Sequence, residues 1–204
     1  MKARLATEHD LDGITATLTA AFAADPLWSW AFPSMDGLAV LWRLLVSSAL
    51  RYPWVWIADD YAAVSVWIPP GGIELTEDEE ALLEPMLVDL VGSHAAEVLT
   101  LFERLEQTHP DEPPHYYLSL LGTHPDHRGK GLGMALLAEN LARIDAEGMP
   151  VYLESSNPAN VPRYERQGFV RVGEFLRPDG QLTVSTMWRR PLASQARAKR
   201  GLST

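Results

Sequence analysis

The chain has 204 residues, a formal net charge of −10, 47% hydrophobic residues, seven Trp and no Cys. That length buries one sizeable core, and the composition excludes a disordered chain, a disulfide framework, a thiol nucleophile and a thiolate metal site. The acidic balance argues against a nucleic-acid partner, which needs clustered Lys and Arg, and suits a cationic substrate.

Taken from the N-terminus, Met1 to Asp10 lacks the apolar core of a signal peptide, and no apolar run of about 18 residues follows. A cytoplasmic protein without membrane contact is expected. Lys2 to Ala6 reads as a strand, and Thr7 with Asp10 as the N-cap of a helix carrying Leu11, Ile14, Leu18, Ala21 and Phe22. That helix stops at Asp25-Pro26, because the residue before proline is pushed out of helix. A second helix starts near Asp36. Trp54 to Ile68 alternates as a hairpin around Asp59-Asp60. Thr76 with Glu79 opens an acidic helix as a capping box, and Pro85 is expected to kink or divide it before Gln107.

Pro110, Pro113 and Pro114 mark a loop, then Tyr116 to Thr123 a central strand. A helix runs to Glu147 and stops at Gly148, followed by a strand over Val151–Ser155 and a short helix from Asn160 to Gln167. Phe169–Phe175 and Gln181–Trp188 pair across Pro178-Asp179-Gly180. Residues 1–190 read as a single mixed α/β domain. The basic cluster Arg189, Arg190, Arg197, Lys199 and Arg200 reads as the start and body of a solvated tail over 191–204.

The most informative stretch joins the central strand to its helix. After His124-Pro125 come Arg128, Gly129, Lys130, Gly131, Leu132, Gly133 and Met134. Glycines at a helix mouth admit a ligand to backbone N–H groups that have no intrahelical partner, and the helix dipole favours an anion there. The spacing fits neither the nucleotide P-loop nor the dinucleotide fingerprint: His124 stands where the first needs Gly, and Met134 where the second does.

Arg128-x-x-Gly131-x-Gly133 resembles the pyrophosphate-binding signature of the GNAT superfamily of N-acetyltransferases. The order of elements resembles that fold from end to end, which implies a mostly antiparallel sheet, helices on both faces and a splayed central strand pair. A finer pattern is Leu153-Glu154-Ser155-Ser156, Pro158-Ala159-Asn160 and Pro162-Arg163-Tyr164-Glu165-Arg166-Gln167-Gly168-Phe169. It resembles the branch that contains puromycin N-acetyltransferase, and the likeness extends over roughly residues 3–190.

The resemblance implies acetyl-CoA as co-substrate. It places pantetheine along the backbone of Leu121, Gly122 and Thr123, and the pyrophosphate on Arg128, Gly129, Lys130, Gly131, Leu132, Gly133 and Met134. Asn157 and Asn160 compete for a hydrogen bond near the pantetheine arm, and the branch pattern favours Asn160. Tyr164 matches the general acid. Glu154 lies at a strand end facing the thioester and is the candidate base, with His124 as the alternative. Asp25, Trp28, Trp30 and Trp67 are candidates for the acceptor wall. His94, His109, His115 and His127 show no ligand spacing, so no metal is expected.

These readings point to acetyl transfer to a primary amine of a small molecule, by a monomer or homodimer. A peptide N-acetyltransferase and a non-catalytic acyl-CoA sensor share the same cradle.

Overall fold

The computed structural model describes residues 1–192. The rest of the tail, with Arg197, Lys199 and Arg200, lies outside the described residues. In chain order the elements are β1 (Ala3–Leu5), α1 (Leu11–Phe22), α2 (Trp28–Ala31), α3 (Met35–Ala49), β2 (Val55–Ala58) and β3 (Ala63–Ile68). Then come α4 (Glu77–Val91), α5 (Ala95–Thr108), β4 (Tyr116–Thr123), α6 (Leu132–Glu147), β5 (Val151–Ser155), α7 (Val161–Glu165), β6 (Val170–Leu176) and β7 (Thr183–Arg189). The strands form one sheet in the order β1-β2-β3-β4-β5-β7-β6. Every neighbouring pair is antiparallel except β4 with β5. This is the mixed, mostly antiparallel sheet that the element order implied.

One side-chain cluster fills the face under α1, α3, α4 and α5, with Ile14, Leu41, Trp42, Leu87 and Val98 at its centre. A second, with Leu136, Leu137, Leu141, Leu153 and Phe169, seals α6 to the other face. Alternation along the strands sorts residues between the two clusters. In β4 the sorting slips: Tyr116 and Leu118 face α6, whereas Leu120 faces the opposite cluster. The cause is a bulge. Val66 pairs with Leu120 and Trp67 with Leu118, which leaves Ser119 as an extra residue in β4.

The parallel pair holds over one short stretch, Tyr116 with Val151 and Tyr117 with Tyr152. Past it β4 and β5 separate, and their ends, Leu118–Leu121 and Leu153–Ser156, line a cavity. The splay makes the site possible, because two strands that stayed hydrogen-bonded would leave no room between them.

Three local expectations are corrected. α2 was not foreseen; it forms because the Asp25 carboxylate accepts the Leu27 and Trp28 N–H groups at 3.0 and 3.3 Å, satisfying donors that open the turn. The stretch divides into two helices as expected, but α4 passes through Pro85 and the break comes at Gly92, whose φ of +58° suits glycine. By length and apolarity 77–108 would reach across a membrane, but Gly92 divides it and Leu87, Val98 and Leu101 enter the core. Arg189, assigned to the solvated cluster, is 4% exposed. Its guanidinium forks onto Asp145 at 2.8 and 2.7 Å and its Nε donates to Gln167 O, tying β7 to α6.

Candidate active site

At the mouth of α6, Gly131 sits at φ +74°, and Ala135 is the first residue whose N–H reaches back into the turn, at 2.9 Å from Gly131 O. The N–H groups of Leu132, Gly133 and Met134 therefore face outward without intrahelical partners. No acidic residue stands in this first turn. Gly133 has a different task from Gly131: a Cβ there would overlap Thr123 Oγ1, so glycine lets α6 press against the end of β4.

In front of this mouth lies a groove of about 550 Å³. Leu121, Gly122, Thr123, Arg128, Gly129, Gly131, Leu132, Gly133, Met134 and Asn160 all line it. Lys130 does not; its Nζ lies 3.5 Å from Asp126 O on the exposed loop. Arg128 reaches across the groove and donates to Ala21 O at 2.7 Å. Arg163, which sequence reasoning did not single out, also lines the groove and donates to Asn160 Oδ1 at 2.7 Å. Asn157 accepts from the Ala159 N–H at 3.0 Å and so caps the turn before α7.

A second cavity, about 70 Å³, lies between the splayed strands. It shares Phe22, Leu121, Asn160 and Tyr164 with the groove, so the two spaces meet at Tyr164. Its walls are leucines and the rings of Phe22, Trp28, Trp42, Tyr117 and Tyr164, and Glu154 is the one carboxyl among the residues lining it. Trp28 packs edge-on against Trp42 at 4.8 Å.

The other proposed wall residues stand elsewhere. Trp30, two residues along the same helical turn, points to His94 and Arg177. Trp67 is fully buried on the α6 face, its Nε1 donating to Asn140 Oδ1 at 3.1 Å, because strand alternation turns it away from the cavity. Asp25 lines the groove rather than the cavity, and its oxygens are taken by Leu27, Trp28 and the Ser156 hydroxyl. His124 borders neither space; its ring faces the Asp126 N–H and carboxylate.

The electrostatics are set by burial. The Glu154 carboxyl is raised from 4.5 to about 8, chiefly because its side chain is 6% exposed, while hydrogen bonds from Tyr117 and Tyr152 pull the other way. Tyr164 is pushed up to about 12 by burial and then by the Asp25 charge. Asp25 is itself raised by burial against its three hydrogen bonds. Tyr152 lies two residues before Glu154 on the same strand face, a position that alternation predicts.

A family profile described as Acetyltransferase (GNAT) family matches residues 48–169, more than half of the chain. The chain belongs to the GNAT acetyltransferase family. That family uses acetyl-CoA. The groove fits that co-substrate: unpartnered helix N–H groups, Arg128 and Arg163 suit a pyrophosphate, and the channel leads from them to Tyr164.

A mycothiol acetyltransferase from Geodermatophilus obscurus is 34% identical over 125 residues, which is 57% of this chain but 35% of that protein's length. The match thus spans about a third of the relative. A Schizosaccharomyces pombe protein named as an uncharacterized N-acetyltransferase is 27% identical over 83% of this chain and 74% of its own. A Corynebacterium glutamicum structure described as histone acetyltransferase HPA2 and related acetyltransferase superposes with a TM-score of 0.70 and 27% identity. It covers 93% of this chain and 96% of that one.

Proposed function

We propose that this GNAT enzyme acetylates the primary amine of a small cationic molecule, with Glu154 as the base and Tyr164 as the acid. One observation carries the reading: a cavity lined by leucines and five aromatic rings, with a single carboxyl, Glu154, opens onto the groove at Tyr164. The rings, and the carboxyl once it is ionised, attract an alkylammonium, and no cation among the lining residues repels it. The puromycin-acetyltransferase-like pattern from Leu153 to Phe169 supports the same placement of Tyr164 and Asn160.

Acetyl-CoA supplies an acetyl group activated as a thioester. The chain supplies proton transfers and positions. An alkylammonium has a reference pKa near 10.4, about six units above an ordinary carboxyl. Raising Glu154 to about 8 closes most of that gap, so its carboxylate takes the ammonium proton far more readily. The Tyr164 phenol, held near 12, stays protonated at every working pH. It therefore gives its proton only in concert with the departure of the sulfur, since about 8.5 is the ordinary value of a thiol. Arg163 holds Asn160 at the junction, and Gly131 keeps the helix donors open to the pyrophosphate. The reaction needs neither nucleic acid nor membrane, and we place it in the cytoplasm, run by a monomer or homodimer without a metal.

The test is acetyl-CoA-dependent thiol release across a panel of arylalkylamines, guanidinoalkylamines, aminonucleosides and N-terminal peptides. Turnover of small amines is expected. Turnover of peptides alone would make the enzyme a peptide N-acetyltransferase. Acetyl-CoA binding without any turnover would make it a sensor.

A further inference from the structure

Beside Glu154 lies a histidine pair that borders neither the groove nor the cavity. His109 follows α5, and its ring packs edge-on against Tyr117 at 4.7 Å and Tyr152 at 4.9 Å. Its Nδ1 lies 3.9 Å from Glu154 Oε1, and its Nε2 lies 3.2 Å from His115 Nε2. His115 Nδ1 lies 2.9 Å from Pro113 O.

Hydrogen-bond polarity runs through this chain in one direction. A carbonyl oxygen only accepts, so His115 Nδ1 carries a hydrogen. With both rings neutral, His115 Nε2 is then bare, and the hydrogen between the two rings belongs to His109 Nε2. His109 Nδ1 is left with a free lone pair, and it faces the Glu154 carboxyl.

We propose that His109 is the proton exit of Glu154, a positioning residue that returns the base to its ionised form between turnovers. This rests on the reading of Glu154 as the base. After the amine has given its proton to Glu154, the carboxyl O–H passes that proton to His109 Nδ1. The ring becomes cationic and releases one proton to water, since its side chain is 34% exposed. Glu154 ends as carboxylate, His109 as the neutral ring, and one proton has reached solvent. The 3.9 Å gap is about 1 Å longer than a hydrogen bond, so a small ring rotation or one water closes it.

The other groups around the pair do not offer this route. The Tyr117 and Tyr152 phenols are raised well above 10, so they hold their protons, and the Tyr152 hydroxyl donates to Thr108 O at 3.0 Å. Glu74 is engaged with the Ser119 hydroxyl. Burial and the neighbouring His115 lower His109 to about 4, against a smaller opposing pull from Asp111, so the lone pair is free above that pH; the transfer from Glu154 at about 8 runs about 10⁴-fold uphill and is drawn forward by loss of the proton from the ring to solvent.

Two measurements test this. In the wild-type protein, long-range proton–nitrogen spectra of the histidine rings should show His109 protonated on Nε2 and His115 on Nδ1. The opposite tautomers would overturn the proposal without any substrate. The second uses the panel amine that gives the fastest thiol release, in dilute buffer. His109→Ala should lower kcat roughly tenfold with KM unchanged, less than the about 10²–10⁴ of a group acting on the reacting atom itself. Added imidazole should restore it, and His109→Gln should show the same loss without rescue, having no cavity to fill. Loss of activity in His109→Ala that imidazole leaves unchanged would make the ring structural and overturn the exit. If Glu154→Gln is as active as the parent, it is the base assignment that fails.

Discussion

The groove at the mouth of α6 and the cavity around Glu154 share a wall but are made of different material. The groove is backbone: helix N–H groups, a left-handed glycine and a strand edge, with Arg128 and Arg163 adding charge at the rim. The cavity is side chain: six elements spread from α1 to α7 each send one ring or carboxyl into about 70 Å³. Backbone donors are indifferent to what lies at the far end of the ligand, which suits a co-substrate common to a whole family. Side chains in a desolvated space shift one another's pKa values, and that suits chemistry on one class of acceptor. Each half can be damaged separately, and the size of the damage reports which material did the work.

The largest effect is expected at the junction. Tyr164→Phe removes one hydroxyl from a ring packed on Phe169 and leaves the groove intact. Turnover should fall by about 10²-fold or more, the scale of a positioned acid, while acetyl-CoA affinity by calorimetry should stay within about twofold. Equal turnover would take the acid role from Tyr164. A parallel loss of acetyl-CoA affinity would make Tyr164 part of the groove and erase the division drawn here.

Glu154→Gln comes next and can be read in two ways. In the wild type, kcat/KM should climb as the pH rises toward about 8, where the carboxyl ionises, and level off above it. The Gln variant should lose about 10²-fold at the plateau and lose that slope. Stability should move the opposite way. A carboxyl raised from 4.5 to about 8 by folding favours the native state fully below 4.5 and loses that contribution as pH rises to 8. Glu154→Gln should therefore gain on the wild type in melting experiments between pH 5 and 8, by up to a few kcal/mol, and hold that gain above. A constant difference across that range would mean that Glu154 is not held neutral by its surroundings.

The sequence made the groove legible because a backbone site leaves its mark in consecutive residues. Gly129, Gly131 and Gly133 can only be read together, and all but one of the positions assigned from Leu121 to Met134 line the groove. Asn160 came from a motif of the same kind. The cavity left no such mark. Among the tryptophans nothing local separates Trp28, which enters it, from Trp67, which strand alternation turns to the other face. The bulge at Ser119 shifts the facing of β4 midway, so a uniform alternation misplaces one half of that strand. Tyr152 was readable as the neighbour of Glu154 on one strand face, but His109 comes from a loop 45 positions away and no periodicity points to it. Arg189 looked like the start of a basic tail; only the fold shows Asp145 waiting for it.

Gly131→Val should have a smaller effect, and a cleaner one than any change at Gly133. At Gly131 an added Cβ meets nothing within 4 Å, so the cost is the strained φ of +74° and the turning away of N–H groups. At Gly133 a Cβ overlaps Thr123 and disturbs the packing of α6 itself. Gly131→Val should weaken acetyl-CoA binding about tenfold or more, the effect of losing one to two donors to a charged group. Its thermal unfolding should remain cooperative. Undiminished affinity would remove the pyrophosphate from the mouth of α6.

The smallest effect separates motif membership from geometry within the cradle. Arg128 and Lys130 both belong to the glycine-rich segment, yet Arg128 lines the groove and is braced on Ala21 O, whereas Lys130 sits outside it on an exposed loop. An exposed cation acts on an anion only through solvent, where screening at ordinary salt limits it to well under 1 kcal/mol. Arg128→Ala should thus lower acetyl-CoA affinity several-fold, and Lys130→Ala less than twofold, with what remains of the Lys130 effect vanishing in high salt. If instead Lys130→Ala costs as much as Arg128→Ala and resists salt, then the loop from His127 to Gly131 folds over the bound phosphates. The groove would then be closed by a side chain on its outer rim, and the backbone would not suffice to hold the co-substrate.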